Sequence, residues 1–120
     1  MKSIPLDKEV LSNLYGDCQE SKAEVFSEFL SSFSDMKTAL FAAWESTNLD
    51  TLKSMLHFYG PSFMYVGAPQ VSGFFKKLEA KCTEVKSSVY LSTGFFELLQ
   101  MVDDTRMQVI HLRSEYRAVV

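Results

Sequence analysis

Sulfur chemistry has little to work with in this chain of 120 residues: its two cysteines, Cys18 and Cys82, lie far apart and form no Cys-x-x-Cys pair. That spacing argues against a thiolate metal centre or a dithiol redox site and leaves two reduced thiols. Positive charge is short as well, with 12 Lys and Arg against 15 Asp and Glu, a net charge of −3 and lysines interspersed among acids. A phosphate backbone needs a basic field, so nucleic acid is not an expected partner. No apolar run approaches the roughly 20 residues that cross a bilayer, and Met1-Lys2-Ser3-Ile4-Pro5-Leu6-Asp7 reaches charge too early for a signal peptide. The expected location is therefore the cytoplasm, with no membrane partner. There are no internal repeats, low-complexity segments or linkers, and the length suits one domain, residues 1–120, around one core. Strand patterning is missing too: Met64-Tyr65-Val66 is too short and isolated to start a sheet. Thr51, Ser54 and Ser62 have no triad partners, which removes serine-hydrolase chemistry.

What the chain does contain is apolar residues at helical spacing. Hydrophobic residues make up 47% and charged ones 22%, and ten phenylalanines supply the bulk of a core. A pocket for an apolar ligand would also use such residues, but their three- and four-residue steps point to packing. Ile4, Val10, Leu11 and Leu14 predict a leading helix of about two turns ending at Gly16, a residue suited to a helix end. Val25, Phe26, Phe29, Leu30, Phe33, Met36, Leu40, Ala43 and Trp44 predict a long helix from roughly Glu20 to Glu45. A third helix, N-capped by Asp50, carries Leu52, Met55, Leu56, Tyr59, Phe63 and Val66 inward. After Gly67-Ala68, Pro69 opens a fourth helix lined by Val71, Phe74, Phe75, Leu78, Cys82 and Val85. A last helix, from about Tyr90, buries Leu91, Phe95, Leu98, Val102, Val109, Leu112 and Tyr116. The expected fold class is all-α: an antiparallel up-down four-helix bundle with a short leading N-terminal helix.

One residue on the third helix stands out. His57 follows inward-facing Leu56, about 100° further round the helix, and so points mostly away from the core. At neutral pH an ordinary imidazole is mostly uncharged, and its lone pair can attack phosphorus. His111, between Ile110 and Leu112 near the end of the last helix, has only the role of a surface residue where positive charge is welcome.

The surroundings of His57 resemble the histidine-containing phosphotransfer (HPt) family. The likeness covers roughly residues 6–82. It begins with Leu14-Tyr15-Gly16-Asp17 and the stripe Phe26, Phe29-Leu30, Phe33, Leu40 and Ala43, and continues through Asn48-Leu49-Asp50. Counted from His57, Ser62 takes the place of the family's small or hydroxyl residue and is expected as a neighbour of the phosphoryl site, and Gly67-Ala68 take that of its helix-ending glycine and the residue after it. Lys77-Leu78-Glu79 matches the end of the following motif. The resemblance implies a phosphoryl carrier on His57 between receiver-domain aspartates, with a response-regulator receiver domain or a hybrid sensor histidine kinase as partner. It implies no cofactor in this chain, since Mg²⁺ would belong to the receiver, and a monomer is the expected state. Glu79 would face the imidazole from the neighbouring helix and hold its other nitrogen.

Two positions depart from the family pattern. Where the family has Lys-Gly three and four residues after its histidine, this chain has Gly60-Pro61. Lys53, one turn before His57, and Lys76, one turn before Glu79, are the candidates to supply the missing charge. Pro61 removes an N–H that would bond the His57 carbonyl and is expected to kink the helix, at about 3 kcal/mol if nothing relaxes. Lys53, Ser54, Phe58, Gly60, Pro61 and Met64 are expected at or near a docking face around His57. The alternative is a non-catalytic HPt-like module that binds a receiver or another partner without phosphotransfer.

Overall fold

The computed structural model describes residues 4–119. Met1, Lys2 and Ser3, which open the segment read above against a signal peptide, and Val120 lie outside the described residues. Five α-helices, α1 (Lys8–Tyr15), α2 (Gln19–Glu45), α3 (Leu49–Tyr65), α4 (Pro69–Lys81) and α5 (Ser92–Val119), and a 3₁₀ turn at Ser88–Leu91 account for all the regular structure among the described residues. Among the described residues no helix is long and apolar enough to cross a membrane.

Each helix begins and ends where local chemistry allows. Asp7, not Ile4, starts α1: its carboxylate accepts from the N–H groups of Glu9 and Val10, which the first turn would otherwise leave unpaired. Asn48, not Asp50, caps α3, accepting from the Thr51 N–H at 3.1 Å. Asp50 lies inside the first turn, where its charge suits the helix dipole. The preceding Thr47 has φ 57°, an unusual value for a β-branched residue, and this sharp turn delivers Asn48 to the cap. At the other end of α3, Gly67 has φ 83°, and the Ala68 N–H reaches back to the Phe63 carbonyl at 2.8 Å. Two further expectations are corrected. Val85 lies beyond α4, in a turn where Cys82 N–H already closes the last carbonyls. The last helix begins at Ser92, because the Ser87 hydroxyl accepts from the Val89 N–H and winds the chain into a 3₁₀ turn first.

The helices pack through their apolar stripes. The largest contact joins α3 to α4, followed by α2 with α5 and α2 with α3, while α1 rests on α2 and α3. Phe63 is fully buried at the meeting of three helices: its ring is 5.2 Å edge-on from Phe29 of α2 and 5.0 Å, stacked at an interplanar angle of 30°, from Phe75 of α4. Leu14, one of the apolar residues that predict the leading helix, is exposed.

The segment ahead of α1 is tied down at both ends. Gln108 of α5 accepts from the Leu6 N–H and donates to the Ile4 carbonyl, at 3.0 and 2.6 Å. The Asp7 N–H donates to the Gly67 carbonyl at 2.7 Å. A Cβ on Gly67 would come within 2.9 Å of Leu11 Cγ, so this crossing needs glycine for space as well as for its dihedral.

Candidate functional site

The buried stripe of α3, Leu52, Leu56, Gly60 and Phe63, turns His57 outward, and 78% of its side chain is exposed. On α4 the buried residues Val71, Ser72, Phe75 and Leu78 set the facing stripe. Glu79 follows Leu78 at the edge of that stripe and is only 23% exposed. The two helices bring the side chains together: His57 Nδ1 lies 3.2 and 3.1 Å from the two carboxylate oxygens of Glu79. An ionised carboxylate can only accept, so this contact assigns the hydrogen to Nδ1. A neutral ring then carries its lone pair on Nε2, the nitrogen away from Glu79.

Gly60 explains how α4 comes so close. It is buried, and a Cβ there would meet Phe75 Cβ at 3.0 Å. This corrects its placement on the docking face: position 60 belongs to the α3–α4 seam, and the helices approach through the missing side chain. Pro61 is exposed, and α3 continues through it. Because proline has no N–H, the His57 carbonyl receives no helical bond from that position. Ser62 is a second correction. Its hydroxyl donates to the Tyr59 carbonyl at 2.7 Å, and it lines a cleft of about 320 Å³ with Tyr15, Phe29, Ser32 and Tyr65, on the side of α3 facing α2.

Ser54, Phe58 and Met64 are exposed on α3, Phe58 at 69%. The Phe58 ring meets Tyr59 edge-on at 4.8 Å, which steadies an otherwise open aromatic beside the imidazole. The two candidate lysines part company. Lys53 is half-buried, and its charge reaches the Cys82 thiol, as does that of Glu79. Lys76 is exposed and lines an open depression with Gln70, Gly73, Phe74 and Lys77, all on α4.

The cysteines sit in contrasting settings. Burial pushes the Cys82 thiol up, Lys53 works against that and Glu79 adds to it. Cys18 is exposed at the start of α2, and the Ser21 hydroxyl donating to its sulfur at 3.2 Å holds its thiol below the usual range. Iodoacetamide at mildly alkaline pH is therefore expected to modify Cys18 and spare Cys82 until the chain is denatured. Peptide mapping checks this, and early labelling of Cys82 would mean that α4 opens locally. His111 lies 3.5 Å from Glu115 on the surface of α5. Among the described residues no cluster of His, Cys, Asp and Glu could hold a metal ion.

The residue the spacing did not single out is Phe75. It reads as one more core aromatic, yet it is the partner that shapes the seam at Gly60. No family model matches the chain, and no curated protein or solved structure matches it.

Proposed function

We propose that this chain is a histidine phosphotransfer protein of the HPt type, carrying a phosphoryl group on His57 between receiver-domain aspartates of a two-component phosphorelay. The observation that carries the reading is the exposed imidazole held at Nδ1 by Glu79 from the adjacent helix. In the transfer, the Nε2 lone pair forms a bond to phosphorus as the P–O bond of the receiver's aspartyl phosphate breaks, and the aspartate leaves as carboxylate with that electron pair. The ring thereby gains positive charge, and the Nδ1–H donated to Glu79 is where this charge is stabilised. The carrier needs no cofactor; Mg²⁺ on the receiver offsets charge on the phosphoryl oxygens.

The same reading makes α2 to α5 an antiparallel up-down four-helix bundle with α1 as its leading helix. Short links support it, with only Ser46, Thr47 and Asn48 between α2 and α3, and only Val66, Gly67 and Ala68 between α3 and α4. The side-chain pairs agree: from His57 with Glu79 to Gly60 with Phe75, position advances along α3 and recedes along α4. The proposed setting is the cytoplasm, the proposed state a monomer, and the partner a receiver domain or hybrid histidine kinase that docks over Ser54, Phe58, Pro61 and Met64.

A second reading rests on Gly60 and Pro61. With Gly60 buried in the seam, position 60 presents no cation to a phosphoryl group, which suits a module that binds receivers without transfer. One experiment separates the two. Native protein and His57→Gln are incubated with Mg²⁺ and a receiver phosphorylated on its aspartate, and intact mass is read at neutral and acid pH. An acid-labile phosphoryl adduct on the native chain alone is the expected result. A receiver that binds with no adduct in either protein would overturn the carrier and leave the docking module.

A further inference from the structure

A phosphoryl group brings about two negative charges at neutral pH. On His57 it would lie on a ring already held by the Glu79 carboxylate, so a nearby cation is needed to offset like-charge repulsion. Lysines on α3 and α4 are the local supply, and Lys53 is the one cation on α3. It stands one turn before His57, where i and i+4 Cβ atoms are about 5–6 Å apart. Helical side chains lean toward the N-terminal turn, so the imidazole leans over the turn that holds Lys53 and Ser54. Lys53 is half-buried on the side of α3 that faces Glu79 and Cys82, since its charge and that of Glu79 both act on the same thiol. Among the described residues it enters no ion pair, whereas Lys37 is held by Asp103 at 2.8 Å. Lys76 instead borders an open depression on α4.

We infer that Lys53 is the cation that engages the phosphoryl group at His57, drawing an incoming phosphodonor to Nε2 and neutralising the adduct. The assignment rests on the phosphotransfer reading of His57, and a small donor tests it without a partner protein. With phosphoramidate, the Nε2–P bond forms, the donor's P–N bond breaks and ammonia leaves with the electron pair.

The initial rate of acid-labile adduct formation is measured by intact mass for native protein, Lys53→Gln, Lys53→Arg, Lys76→Gln and His57→Gln. Lys53→Gln is expected to be about tenfold slower, Lys53→Arg within about threefold of native and Lys76→Gln within about twofold, as for loss or retention of one charge-assisted contact. Added salt should narrow the gap between native and Lys53→Gln. Retained cooperative unfolding and the arginine rescue separate charge from folding. A native rate in Lys53→Gln, or the loss appearing in Lys76→Gln, would overturn the assignment. The same proteins are then given a phosphorylated receiver. Lys53-dependent chemical labelling without receiver transfer would keep the assignment and reject the carrier, while equal receiver transfer to native and Lys53→Gln would do the reverse. A native chain labelled by neither donor would reject both.

Discussion

A lysine placed at position 60 is expected to destabilise the protein by about 1–2 kcal/mol and to weaken the His57–Glu79 contact, although lysine is the better helix former. Two effects compete. Removing a glycine from the helix interior contributes about 0.5–1 kcal/mol of stability. Against it stands a new Cβ at 3.0 Å from Phe75 Cβ. Both atoms are bonded directly to backbone, so neither can swing away, and relief requires α3 and α4 to separate. Overpacking of this kind costs about 1–3 kcal/mol, which outweighs the gain in helix propensity. The separation falls on the helix pair that sets the 3.1–3.2 Å contacts from Nδ1 to Glu79. Urea unfolding measures the first effect, and the ring-nitrogen NMR signals that report the tautomer measure the second. A Gly60→Lys protein at least as stable as native, with its tautomer unchanged, would show that the seam has slack.

Phe63→Ala is expected to cost about 4 kcal/mol, within the range for emptying a buried aromatic site. For a domain of this size that corresponds to a fall of roughly 15 °C in Tm. The ring is fully buried and touches Phe29 of α2 and Phe75 of α4, so its removal leaves a void bounded by three helices. No single side chain can refill that void while all three helices keep their places. A neighbouring helix that moved inward would also shift the face on which His57 is displayed. Thermal unfolding followed by circular dichroism gives the number. A loss below about 1.5 kcal/mol would mean that the site collapses easily and that the aromatic junction is not what orders the helices.

The helices were legible because their signals are local. Gly16 and Gly67 mark helix ends through backbone freedom, and the Phe26, Phe29, Phe33, Met36 and Leu40 steps of α2 sit buried as their spacing requires. The misplaced boundaries have local causes that compete on nearly equal footing. Asn48 and Asp50 are both good caps, and the choice follows from the turn at Thr47. Ser87 diverts the chain into a 3₁₀ turn at a point where periodicity alone would continue a helix. The outward placement of His57 could be read from its neighbours on one helix. The burial of Gly60 could not, because it depends on how closely α4 approaches, and Ser62 was miscast for the same reason, its exposure being decided by α2. Helix periodicity says which residues face inward and leaves open which neighbour they meet.

The strap ahead of α1 bears on how the chain is made. Its bonds to Gln108 link residues 102 and 104 positions apart, so they cannot close until most of α5 has been synthesised. Nearer contacts, such as those joining α3 to α4, form without that wait. On the ribosome, the strap emerges well before the Gln108 that fastens it, and loop closure over so long a span makes this docking a late step. A nascent chain stalled before Gln108 would hold its α3–α4 pair with Ile4 and Leu6 still unfastened, open to a chaperone or a protease that the finished protein excludes.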